Sequence, residues 1–389
     1  MSYDLHVFGA TALDAAEVGA VAETVGKCRI VSGSGPSGGF VVERQVRATF
    51  DYAFDCDGPF RIEHEDIPDA VISSAIGVRW VYHLSVGGSS AAGKQLASEF
   101  ARVIAQRSSG VVYDPQQEAI VFPRGGTRRF KPEPTAKLDL VQFKWFARRE
   151  DVTPESSLNV FDLIRSHLPE ALPRRFGSYE PLQGSLEEAG KDGFVAAWRA
   201  EQMLLFWKGS PPCFGGSMSG LGDKLVGIQH AGPHPVGSIG LSFDRRAFLD
   251  DRWTNDAIAL FVAISERLPA FFAHAEVDRN VDYSRGNVWY GPDALTNPGL
   301  VVRNVWMGLP CFDLWLGWFG RLYRAIVQTR LPPVLTELRE TGALVRASKF
   351  PLEEGNAGWR PPEELALKAT GSPPGNWDRE RAQVLPSGL

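Results

Sequence analysis

The sequence predicts an α+β protein built from two mixed units, each a mainly antiparallel sheet with helices packed on one face. Three observations carry that expectation. Apolar and polar residues alternate at strand period through 40–54 and 79–86, apolar residues recur at helical spacing through 91–106, and a stretch at 123–137 shows neither period. Strands and helices mixed over the first 120 or so residues fit helices layered on one sheet face.

Taken in order, residues 3–8 read as a strand and 12–25 as a helix rich in Ala and Val. A glycine-rich turn, Gly33 to Gly39, leads into the strand at 40–54. In 79–86, Trp80, Tyr82, Leu84 and Val86 alternate with Arg79, Val81, His83 and Ser85, which predicts one buried and one wetter face. The helix at 91–106 places Leu96, Phe100, Val103 and Ile104 on one side. Residues 111–113 and 119–122 flank Asp114-Pro115 and form a closing hairpin. The first unit is therefore 1–122.

Residues 123–137 combine prolines, glycines and a short basic cluster, as a linker or long surface loop does. The second unit spans 138–370, opening with a strand at 138–146. Helices are predicted at 157–167, 186–199 and 255–268, the last with Thr254 or Asn255 as its N-cap and Pro269 behind it. Short apolar segments at 203–207, 224–229, 236–243 and 271–277 are its strands. Residues 371–389, rich in Pro and Gly, read as a loose tail.

Composition narrows the function classes. The 389 residues carry 41 Lys and Arg against 46 Asp and Glu, a net charge of -5, with 44% hydrophobic and 11% aromatic residues. That is an ordinary globular balance and excludes a largely disordered chain. The mild acidity argues against a general nucleic-acid binder, which needs a positive field to gather phosphates. The N-terminal segment carries Asp4, His6 and Asp14 where a secretory signal needs a basic start and an apolar run. The most apolar later segment, 305–320, contains Pro310 and Asp313 and is too short to span a bilayer of about 30 Å. Cys28, Cys56, Cys213 and Cys311 form no CxxC pair, so reduced thiols in a cytoplasm are expected. No cofactor, membrane or nucleic-acid partner is expected.

Several motifs stop short of a chemistry. Gly88-Ser-Ser-Ala-Ala-Gly93-Lys94-Gln95 lies between a strand and a helix, where a phosphate-binding loop belongs, and Gly88, Gly93 and Lys94 would be its nucleotide contacts. Gln95 replaces the hydroxyl that would hold magnesium, and a glycine turn into a capped helix is the plainer reading. Gly33-Ser-Gly35-Pro-Ser-Gly38 fits GxGxxG, yet a strand comes after it in place of the helix that would hold a pyrophosphate. His64-Glu65-Asp66-Ile67-Pro68 has Pro68 where a zinc-protease motif needs its second histidine.

His230 and His234 have a spacing compatible with one metal, but Pro235 and the intervening Ala-Gly-Pro put them on a loop with no local third ligand. The segment 215–222 invites a hydrolase or transferase reading, with Ser217 or Ser219 as nucleophile, His230 as base and Asp223 as its acid. Neither serine satisfies GxSxG, and a flexible glycine loop explains the segment more simply. Basic clusters at 128–131, 148–149 and 174–175 are too short for a nucleic-acid stripe.

The densest feature is 304–327, with Trp306, Phe312, Trp315, Trp318, Phe319 and Tyr323. Phe312, Trp315, Phe319 and Tyr323 recur at spacings of three and four, which predicts one face of a helix provided it survives Gly317 and Gly320. Such stripes are mostly core. The alternative is a binding face anchored by Trp315, Trp318, Phe319 and Tyr323.

Trp315-Leu-Gly317-Trp-Phe319-Gly320-Arg-Leu-Tyr323 resembles the W-x-N-x-F-G-x-x-Y segment of bacterial immunity proteins of toxin–immunity systems, the immunity protein 52 family and related families. Gly317 stands where those proteins have Asn. Residues 344–351 and Trp359-Arg-Pro-Pro362 are similar to the downstream stretch of those proteins, and 174–181 bears a looser likeness, so the resemblance spans about 297–362. It implies a cytoplasmic, non-catalytic protein that binds and blocks a cognate toxin or effector, and it transfers no catalytic residue.

Overall fold

In the computed structural model the described residues are 3–26, 28–32, 39–87, 90–131, 135–153, 155–180, 182–201, 204–223, 235–284, 287–302, 304–321, 323–324, 330–351 and 358–361. Their contacts divide the chain into two units, Met1–Pro134 and Thr135–Leu389.

The first unit runs β1 (Tyr3–Gly9), α1 (Ala15–Val25), β2 (Cys28–Ser32), β3 (Phe40–Val46), β4 (Thr49–Arg61), α2 (Asp69–Ile72), β5 (Trp80–Val86), α3 (Ala91–Arg107), β6 (Val111–Asp114), β7 (Ala119–Val121) and β8 (Thr127–Arg129). These strands form one antiparallel sheet in the order β2-β3-β4-β5-β1-β6-β7-β8. Asp14 starts α1 with a capping box: its carboxylate accepts from the Glu17 N–H at 2.8 Å, and the Glu17 carboxylate accepts from the Asp14 N–H. Strand alternation then decides which side chains meet the helices. Leu5, Val7, Tyr82, Leu84 and Val86 pack with Phe100, Ala101 and Ile104 of α3. The other face is partly covered too, since Ile67 and Val71 pack on Phe8, Val81 and Ile120. The stretch expected to be a linker contributes β8, which pairs with β7.

The second unit runs β9 (Ala136–Arg148), α4 (Ser156–His167), β10 (Arg175–Gly177), β11 (Gly184–Ser185), α5 (Leu186–Ala200), β12 (Leu204–Lys208), β13 (Cys213–Ser219), β14 (Val236–Asp244), α6 (Asp251–Arg267), β15 (Phe272–Ser284), β16 (Asn287–Trp289), β17 (Val301–Val302), β18 (Val305–Trp306), β19 (Leu316–Gly320), β20 (Thr336–Leu338) and β21 (Gly342–Arg346). Its large sheet has the order β11-β10-β12-β13-β14-β9-β15-β19-β21-β20, with β16 folded onto β15. β9 is central because its odd positions, Val141, Phe143, Trp145 and Ala147, are apolar and meet Phe161, Phe194, Leu260 and Phe261 of the three helices in one core. The Trp145 indole N–H donates to the Phe261 carbonyl at 3.0 Å.

Three expectations change here. α6 begins at Asp251, capped by Asp250, whose side chain accepts from the Arg252 N–H at 2.8 Å. Thr254 is instead inside the first turn, donating to the Phe248 carbonyl. The glycine segment expected to be a loop is β13, paired along its length with β12 and β14. Gly215 sits at φ +150°, where a Cβ would lie 2.1 Å from the Trp207 carbonyl, so only glycine permits that approach. Within the aromatic segment expected to be helical, Leu316–Gly320 form β19, every residue of which is buried, while Arg321, Tyr323 and Arg324 are helical. The helical spacing is overridden because Trp318 faces the helices while Phe319 faces the opposite cluster, as in a strand covered on both sides. A Cβ at Gly320 would stand 2.1 Å from the Ala270 carbonyl, fixing this close pairing. Residues 224–234 and 371–389, with the strand and tail expected there, lie outside the described residues.

Candidate functional site

The even positions of β9 face away from the helices, and here the sequence is polar: Gln142 and Lys144. Antiparallel register sets Gln142 opposite Glu276 and Lys144 opposite His274 on β15, and on the other side Ser242 and Gly240 of β14. Two residues farther along β15 from Glu276, Asp278 completes a row of ionisable residues at period two, His274, Glu276 and Asp278, alternating with the apolar Ala273, Ala275 and Val277. The face opens into a cleft of about 410 Å³, walled by Phe206, Phe214, Glu180 and Tyr290 and floored by Ser217, Ser242 and Lys144.

Two hydrogen-bonded systems order it. Lys144 Nζ donates to Glu276 Oε1 at 2.6 Å, and Asn297 Nδ2 donates to Glu276 Oε2 at 2.7 Å. Separately, Ser242 Oγ donates to the Gln142 amide oxygen (2.7 Å), Gln142 Nε2 to the Tyr290 oxygen (2.8 Å), and the Tyr290 hydroxyl to Asp278 Oδ2 (2.8 Å). The relay therefore points every donor at Asp278.

Both carboxylates are buried, Glu276 at 1% and Asp278 at 3% exposure, yet their titration is pushed apart. Burial raises the Glu276 carboxyl, but the Lys144 charge, then His274, and the hydrogen bonds from Lys144 and Asn297 outweigh it and hold the group below the usual carboxylate range. Burial, then the Glu276 charge, pushes Asp278 up to about 6, against Lys144 and the hydrogen bonds from Tyr290 and Gln142. Burial and the neighbouring Asp278 also push the Tyr290 phenol up. For Lys144 burial works downward, but Glu276 prevails and its ammonium titrates above the ordinary lysine value. Among the described residues no ammonium or guanidinium pairs with Asp278.

His274 lies fully buried between Phe146 and Phe272, the rings nearly parallel at 5.8 and 5.7 Å, and neither ring nitrogen has a hydrogen-bond partner. Burial, then Lys144, drives it down to about 4 despite Glu276, so it is a neutral imidazole stacked as an aromatic.

The candidate residues of the sequence are scattered. Ser217 lines the cleft, opposite Phe206 and Gly240, and Ser219 closes β13 opposite Ser238. Asp223 is ion-paired with Arg199 at 3.0 Å. His230 and His234 lie outside the described residues, as does Gly88. The Gly93 N–H donates to Ser90 Oγ at 3.0 Å in the first turn of α3, and the Lys94 ammonium rests over the Tyr3 ring at 4.9 Å. Among the described residues no three His, Cys, Asp or Glu side chains converge as a metal site.

Trp315, Trp318, Phe319 and Tyr323 are 0 to 2% exposed, which corrects the surface-anchor reading. Each is held in the core: Trp315 Nε1 donates to the Ser348 carbonyl (3.1 Å), Trp318 packs in the helix-side cluster, Trp306 Nε1 donates to the Tyr323 hydroxyl (2.7 Å), and Phe319 packs edge-on to Trp359. Burial also raises the Cys213 thiol to about 12, and the Cys56 thiol is raised likewise. Apart from Gly215, Gly216 and Ser217, the residues that line the cleft carry no motif in the sequence. The buried residues beneath it carry one legible signal, the His-x-Glu-x-Asp alternation at 274–278.

Fold and site together define an α+β protein with a polar cleft on the helix-free face of its larger sheet. No family model matches the chain and no curated relative matches it. Among solved structures it is similar to a T6SS protein of Pseudomonas aeruginosa, at 13% identity and a TM-score of 0.43, over 66% of this chain and 82% of that one. A likeness at that level transfers neither fold nor function. Among the described residues no helix is long and apolar enough to cross a membrane.

Proposed function

We propose that the chain is a non-catalytic binding protein, an immunity-type inhibitor that occludes a cognate bacterial toxin. The observation that carries this reading is the cleft: a sheet face with fixed polar groups, open to solvent, bearing half-exposed aromatic side chains at Phe206 (38%) and Tyr290 (52%). Aromatic anchors beside prearranged hydrogen-bonding groups are what a protein interface concentrates its energy on. The resemblance at 297–362 supports the same class, although its aromatic residues serve as core beneath the site and the binding face moves to the cleft. The Lys144–Glu276 pair, already satisfied within the chain, sets orientation and rejects mispaired partners, while exposed charges steer encounter.

The test is co-expression with the toxin encoded beside the gene. Protection of the cells and a complex on a sizing column are expected. Cells that die, with both proteins eluting apart, refute the reading.

A further inference from the structure

We infer that the cleft receives a basic side chain of the partner protein, an arginine laid against Tyr290 above Asp278. This rests on the binding-protein reading and adds the chemistry of what is bound. Charge makes the first argument. On and directly beneath the cleft stand two lysines, Lys144 and Lys208, against three carboxylates, Glu180, Glu276 and Asp278. Lys144 is taken by Glu276 at 2.6 Å, so Asp278 is a buried carboxylate whose hydrogen-bond donors, Tyr290 and Gln142, are both neutral. A buried charge is costly until an opposite charge approaches, and the site has an unmatched negative charge waiting for one.

Shape makes the second. Tyr290 is half exposed, and its hydroxyl is already bonded to Asp278. A planar guanidinium stacked on that ring gains a cation–π contact while sitting one ring's length from the carboxylate. Its remaining N–H groups meet acceptors along the floor, the hydroxyls of Ser217 and Ser242 among them. A lysine ammonium would satisfy the charge without using the ring plane, so arginine fits better.

Proton linkage supplies a signature. The groups facing Asp278 are Glu276 on its own strand, Gln142 and Lys144 on β9, Ser242 on β14 and Tyr290 beyond β16. Of these Asp278 alone changes charge between pH 7.5 and 5, with its carboxyl at about 6. A bound cation favours the ionised form, so affinity rises with pH through that value.

The experiment titrates the full chain with Nα-acetyl-argininamide and with Nα-acetyl-citrullinamide, a neutral near-isostere, by ligand-observed NMR. Expected is saturable binding of the arginine probe, at least about tenfold tighter than citrulline at pH 7.5. The preference should shrink to under about threefold at pH 5 and in Asp278→Asn. Tyr290→Leu, at a half-exposed position and checked for folding by circular dichroism, should weaken the arginine probe about fivefold and covers the case where Asp278→Asn fails to fold. Equal binding of the two probes, an unchanged preference at pH 5, or Tyr290→Leu binding as well as the parent overturns the inference. Loss of cell protection with the arginine preference intact removes the toxin partner and leaves the cation site, so the two failures are separable.

Discussion

The two faces of β9 and β15 differ by one residue in register and by nearly everything in chemistry. On one face Val141, Phe143 and Trp145 meet three helices in a close-packed core. On the other, Gln142 and Lys144 meet Glu276, Asp278 and Tyr290 in a hydrogen-bonded relay under an open cleft. Stability on the first face comes from volume and shape; on the second it comes from pairing polar groups, His274 excepted, and the cost of a mistake is a stranded charge.

The sharpest way to break the contrast is to truncate each face in turn. Trp145→Ala opens a void in the helix-covered core and removes one of the donors to the Phe261 carbonyl, which keeps its bond from Ser265 Oγ, and urea denaturation should show a loss of about 3 to 5 kcal/mol. Lys144→Met leaves Glu276 buried without its cation. Lys144 is about a third exposed and water screens part of the effect, so a loss of about 2 to 3 kcal/mol is expected by the same measurement. Adding Glu276→Leu should restore most of that loss if the pair is a matched unit rather than two independent contributions.

A smaller effect tests the buried imidazole. His274→Phe removes two unpartnered ring nitrogens from an aromatic stack and should raise stability by about 1 kcal/mol. Its pH dependence has a definite sign. A histidine held at about 4 in the folded state but near 6.5 unfolded contributes fully above 6.5, and that contribution is lost as pH falls toward 4, so His274→Phe should flatten the acid decline over that window. Asp278 works the other way. Its carboxyl, raised to about 6 from 3.8, contributes most below 3.8 and loses that contribution as pH rises through 6. Asp278→Asn should therefore steepen the decline between 6 and 4, and opposite slopes for the two variants are the measurable difference.

Much of the fold was legible because its periods are local. The helices at Ser156–His167 and Leu186–Ala200 and the strand at Val236–Asp244 follow from apolar spacing alone. What failed was decided by distant partners. Trp315 to Tyr323 has helical spacing, yet β15 on one side and β21 on the other claim Leu316–Gly320 as a strand, and no local rule reports that. Gly215 and Gly216 read as loop until Trp207 is placed against them. The cleft was illegible for the same reason. Lys144 and Glu276 are 132 residues apart, and only the antiparallel register brings them to 2.6 Å. Within 274–278 alternation puts His274, Glu276 and Asp278 on one face, although 271–277 as a whole reads simply as an apolar strand.

The central position of β9 also has a consequence in time. Its two neighbours in the sheet, β14 and β15, come after it by roughly 90 and 120 residues, an interval of about 4 to 25 s at ribosomal speed. Until β14 emerges both edges of β9 lack their partner strands, and until β15 emerges one edge still lacks its partner and Lys144 lacks Glu276. The same arrangement that assembles the cleft from far-apart segments thus makes its emergence a late, all-at-once event, and a chain halted before β15 presents a bare template for pairing with its neighbours.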